Sequence, residues 1–231
     1  MLFVRLMLLR LVAFSVSVTM LGAVAGAAPF AHRFSPGETL RYKYSVAVTA
    51  DTARRSFGGE AQLTVTSVEP TVAGTEVRTQ ISPARRETRS FSITKDGSLT
   101  FAGERHPSHN YVIYDPHQYC AMPSSTAVGA SWACKTDSRG IFHGGDARVR
   151  VLSADDSGIT LEIDGSGSDL PRIDHDADTG KDHTSRSSTS WHEVVRFKDG
   201  IVATIVRDQL TRTVVENLTV DTRIVERIER L

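Results

Sequence analysis

Apolar residues recur at every second position through most of this chain, and that period decides what it can fold into. In "LRYKYSVAVT", Leu40, Tyr42, Tyr44, Val46 and Val48 share one face, while Arg41, Lys43, Ser45 and Thr49 take the other. A strand with one dry and one wet face has this pattern. "EAQLTVT" repeats it with Ala61, Leu63 and Val65, "EVRTQI" with Val77, Thr79 and Ile81, and "SFSIT" with Phe91 and Ile93. "ARVRV", "ITLEID", "SWHEVVRF", "IVATIV" and "NLTVDTRIV" follow. The tail "VDTRIVERIERL" also fits a helical stripe through Val220, Ile224, Ile228 and Leu231. Its β-branched residues favour a final strand, ending at most in a helical turn.

The punctuation between these runs is that of hairpins. Lys95-Asp96-Gly97 and Lys198-Asp199-Gly200 are Asp-Gly turns between β-type runs, and Gly accepts the positive φ of a tight turn. "ADDSG" before Ile159 and "VAG" before Thr75 mark further turns. Strands joined this way are antiparallel neighbours. The expectation is an all-β chain with few helices. Its antiparallel meander has about ten strands and curls into a half-barrel or barrel. Two stretches interrupt the alternation. One, about 103–145, holds both cysteines. The other, 165–190, is rich in Gly, Ser and Asp. Both read as long loops.

The first 27 residues read as a secretory signal peptide. Arg5 and Arg10 precede an apolar run, and Ala25-Gly26-Ala27 offers a small-x-small cleavage site. Residues 28–231 then form one exported β domain, periplasmic or extracellular, with no second apolar stretch to span a membrane. The chain carries 27 Lys and Arg, two of them in the leader, against 27 Asp and Glu. The near-neutral remainder offers no global attraction to nucleic acid. Cys120 and Cys134 are the only cysteines, and export favours a bridge between them. Closing a loop of that size stabilises by about 3 kcal/mol in the chain-entropy model.

Catalytic signals are sparse. "HPSHNYVIYDPHQYC" places His106, His109, His117 and Cys120 at zinc-compatible spacings, but a bridge to Cys134 competes for the sulfur. Asp174, Asp176 and Asp178 alternate as in a calcium loop, yet Thr179 stands where Gly is required and Ser185 where the closing Glu belongs. Ser92 and Lys95 have Ser-x-x-Lys spacing on a strand, where they do not share a helical face. His192 and Glu193 fall on opposite strand faces and cannot act as a pair. Asn217-Leu218-Thr219 is a glycosylation sequon. Trp132, beside Cys134, reads as a packing centre. No nucleophile elbow, zinc-protease helix motif or phosphate-binding Gly loop occurs. No cofactor is expected.

"FSPGETLRYKYSV" near the start and "VGASW" in the middle, set in a long meander, resemble exported bacterial proteins of unknown function. The pattern also resembles the curled half-barrel of LolA-like lipoprotein carriers. A large curled sheet whose inward residues are mostly Leu, Val, Ile, Phe and Tyr points to a non-enzymatic protein whose concave face binds an apolar small molecule or lipid. The lining residues on this reading are Tyr42, Tyr44, Leu63, Val65, Phe91, Ile93, Leu161 and Val195. Two other functions compete. One is an envelope interaction or scaffold module that recruits a protein partner. The other is a metal-dependent hydrolase using His106, His109, His117 and the loop aspartates.

Overall fold

The computed structural model describes residues 34–69, 72–81, 84–93, 99–102, 127–136, 144–169, 171–175, 180 and 182–231. They form twelve strands. These are β1 (Thr39–Ala50), β2 (Ala53–Ser67), β3 (Val72–Gln80), β4 (Arg85–Ile93), β5 (Leu99–Ala102) and β6 (Ser131–Thr136), followed by β7 (Gly145–Asp155), β8 (Gly158–Ser168), β9 (Arg172–His175), β10 (Asp182–Lys198), β11 (Ile201–Val215) and β12 (Leu218–Arg230). Among the described residues there is no helix, and none therefore that is long and apolar enough to cross a membrane.

All strands belong to one antiparallel sheet, ordered β5-β4-β3-β2-β1-β12-β11-β10-β8-β7-β6, with β9 paired to the start of β10. The last strand pairs with the first, Tyr44 opposite Ile228. Among the described residues the order ends at β5 and β6, and the sheet does not close. It curls instead, as an open sheet of this many twisted strands must. Leu40, Tyr42, Leu63 and Phe91 from one arm share a core cluster with Val149, Leu161, Ile163 and Phe197 from the other. The Tyr42 hydroxyl donates to the Val202 carbonyl at 3.2 Å. Burying each of these large apolar side chains contributes about 1.5–3 kcal/mol.

Local chemistry explains the turns. Lys198 pairs with Ile201, which leaves Asp199 (φ 55°) and Gly200 (φ 76°) as a two-residue turn. Positive φ at both central residues is the type I′ geometry that matches strand twist. The other Asp-Gly turn, Asp96-Gly97, lies outside the described residues. Three bulges, at Val65/Ser67, Val151/Ser153 and Arg196/Phe197, add local bend.

Several expectations are corrected. Within 165–190 the described residues are mostly strand rather than loop. Gly165–Ser168 of β8 pair with Ser188–Trp191 of β10, and β9 adds a second short pairing against Asp182–Ser185. Ladder bonds come from the backbone, and small Ser, Thr and Gly side chains fit both faces. Within 103–145, β6 and the start of β7 are strand. Val72-Ala73-Gly74 lies inside β3 rather than in a turn. The face assigned to β3 is also inverted. Pairing with β2 sets Glu76 opposite Leu63, which turns Glu76 inward and leaves Ile81 75% exposed. β12 is strand to Arg230, with no helical turn. The main packing tryptophan is Trp191, at 4% exposure, whereas Trp132 is half-buried at the rim of the same cluster.

Candidate ligand-binding site

Seven of the eight expected lining residues can be placed. Tyr42, Tyr44, Leu63, Val65, Phe91, Leu161 and Val195 are all buried. All but Val65 belong to the principal core cluster. Ile93 lies on β4 opposite Val72 and Leu99, and its side chain is not described. The structure therefore brings these residues together, but packed against one another rather than around an open cavity.

The interior is graded along the long strands β10 and β11. At one end stand Phe197, Val195 and Ile205, all fully buried. Next comes a charged layer, with Glu193 opposite Arg207 and Arg207 opposite Glu226 on β12. All three are at most 4% exposed. One residue pair further on, Trp191 faces Gln209. Beyond that are hydroxyl pairs, Thr189 with Thr211 and Ser187 with Thr213, each at 3.0 Å. Two-residue alternation along paired strands produces the layers, because each step of two stays on the same face.

The charged layer continues on the opposite arm. Glu76 on β3 is 2% exposed and accepts from Arg78 Nη2 at 3.0 Å. The Arg78 guanidinium lies over the Tyr44 ring and that of Arg207 over Trp191, at 5.3 and 5.4 Å from the centroids. Arg207 reaches Glu193 at 3.7 Å and donates to Gln209 Oε1 at 3.2 Å. Gln209 donates in turn to Thr211 Oγ1 at 3.3 Å. Neither carboxyl oxygen of Glu226 has a hydrogen-bond partner. Burial pushes that carboxyl up to about 8, with Arg78 pulling the other way. Burial also raises the Tyr44 phenol, again opposed by Arg78.

The belt of Glu76, Arg78, Glu193, Arg207, Gln209 and Glu226 was not anticipated. A signal for much of it existed. Glu193 sits between Trp191 and Val195, and Glu226 between Ile224 and Ile228, each at an inward position of its strand. An ionisable residue on the apolar parity of a strand is worth marking, because burying it is costly unless it does something.

The outer face is different. His192 and Glu193 do point to opposite faces. His192 Nδ1 lies 2.8 Å from Asp164, and Arg150 holds Glu162. Glu162, Asp164 and His192 come within 4.8 Å of one another, the one such grouping among the described residues. Each carboxylate there is bonded to a side chain across a strand pair, which describes an exposed charge ladder. Arg223 and Arg212 extend it through Asp208 and Asp221, whose carboxyls they hold below the usual range.

His106, His109, His117, Cys120, Asp176 and Asp178 lie outside the described residues, and the side chain of Asp174 on β9 is not described. Cys134, half-buried on β6, has its Sγ 3.7 Å from the Ala147 carbonyl oxygen. Its expected partner Cys120 falls outside, so the bridge is not described. Comparison with protein families, with curated proteins and with solved structures finds no match to this chain.

Proposed function

We propose that this chain is an exported, non-enzymatic binding protein for an amphiphile, in the manner of a LolA-like lipid carrier. The observation that carries the reading is the graded interior, which runs from fully apolar through charged to hydroxyl-lined within one curled wall. An amphiphile has the same gradient. The open order of strands supports it too, because a wall ending at β5 and β6 can widen without breaking a ladder. Entry of a chain requires that widening, since the apolar layer packs against itself. Native mass spectrometry of the gently purified exported protein tests the proposal, and an adduct of lipid mass is expected. A bare protein that also ignores fluorescent fatty-acid and alkylamine probes ends it.

A second reading is an envelope interaction module. Val206, Leu210 and Val214 on the outer face of β11 are 38–44% exposed. Aspartate at Leu210 abolishes partner capture on this reading, with the fold unchanged by circular dichroism. Capture unaffected by that substitution counts against it. The Cys120–Cys134 bridge is part of either proposal, and a denatured, unreduced mass two hydrogens light is its signature.

A further inference from the structure

The interior belt holds the buried acids Glu76, Glu193 and Glu226 with Arg78 and Arg207, and β4 sets Glu87 opposite Arg78 and Arg89 opposite Glu76. A buried carboxylate without a hydrogen-bond donor is costly in a low-dielectric interior. Glu226 is such a group. It lies opposite Arg207 in register, with Val46 on its other side. It is fully buried, and both its oxygens lack a hydrogen-bond donor. The Tyr44 hydroxyl is also buried without a partner. Both offer acceptor oxygens, so the site suits a cation that donates hydrogen bonds.

We propose that the belt is the head-group subsite of the interior and that it takes a primary ammonium group carried on an apolar chain. This rests on the amphiphile reading above and adds the chemistry of the head. The layer beyond the belt, Phe197, Val195 and Ile205, then faces the chain. In the empty protein burial keeps a proton on Glu226. The ammonium displaces that proton to solvent and its N–H groups donate to the freed carboxylate. The charged and titratable groups around Glu226 are Arg207 on β11 with Glu193 beyond it on β10, Tyr44 on β1, Arg78 and Glu76 on β3, and Glu87 and Arg89 opposite those two on β4. Arg78 and Arg207 also disfavour a second cation, which limits the site to one.

The test is titration of the exported protein with dodecylammonium and with dodecanoate, followed by tryptophan fluorescence, because Trp191 stacks on Arg207. Dodecylammonium is expected to bind at least about tenfold tighter at pH 8. Its affinity should rise roughly tenfold per unit between pH 6 and 8, the slope of one displaced proton. An alkylamine stays charged throughout this range. Glu226→Gln, which mimics the protonated carboxyl and should fold, is expected to lose both the preference and the slope. Equal binding of dodecanoate, or an ammonium response unchanged in Glu226→Gln, overturns the head-group assignment and leaves the amphiphile reading standing. Binding of neither probe overturns both.

Discussion

At the scale of single residues, Glu226 ties stability to pH. Its folded carboxyl titrates at about 8 against a reference of 4.5, because burial disfavours the anion. The folded state therefore holds a proton that the unfolded state has released between these two values. Stability is expected to fall as pH rises through that window, by at most about 1.4 kcal/mol per unit. Urea denaturation between pH 5 and 8 measures the slope, and Glu226→Gln should flatten it. A slope unchanged in the variant places the titrating group elsewhere. Gly165 gives a second prediction at this scale. A Cβ there would sit 2.0 Å from the Trp191 ring, so the indole lies flat on a bare backbone. Gly165→Ala is expected to destabilise by about 1–3 kcal/mol through overpacking, read from the denaturation midpoint. The Gly165 contact was not visible from residue type. Glycine in a Gly/Ser-rich run reads as a flexible linker until the ring above it is known.

At the scale of elements, the strands were legible where one face is apolar and one polar. β1 is the clearest case, with Leu40, Tyr42, Tyr44 and Val46 buried and Arg41, Lys43 and Ser45 exposed, as their parity requires. The readings failed where parity was uninformative. Val77, Thr79 and Ile81 look like an inward set, but pairing with β2 overrules them. The Ser/Thr run of β10 has no apolar face at all, and its partners β8 and β11 recruit it by backbone bonding. Turn chemistry was more reliable. Gly200 sits at φ 76° in the β10–β11 turn. Gly200→Ala is expected to cost about 1 kcal/mol, since a side chain is strained there. Chemical denaturation reads the loss, with little change in its steepness.

At the scale of the whole molecule, one core spans the curl. Tyr42 and Leu63 of one arm and Leu161 and Phe197 of the other belong to the same cluster. The arms are therefore expected to unfold together. Leu161→Ala should cost about 2–5 kcal/mol. That loss should be the same whether followed by Trp191 fluorescence on one arm or by a probe on β2 of the other. Two separate midpoints would mean that the arms fold independently. Among the described residues the outer face is held by cross-strand pairs such as Arg212–Asp221 and Arg150–Glu162. These are exposed and contribute little individually. Stability resides inside, and so does the unusual chemistry.

By itself the sequence determined the all-β class, the antiparallel neighbours and most of the residues that turn inward. Period and turn residues are local, so they can be read along the chain. Only the tertiary structure decided that β1 and β12 pair, that the described strands leave the sheet open, and that Arg78 comes within electrostatic reach of Glu226 across the interior. Those facts depend on which distant strands meet and on the sum of twist over twelve of them. Neither quantity is carried by any short stretch of residues. Charge at an inward position is written in the sequence; whether it finds a countercharge is a property of the curl.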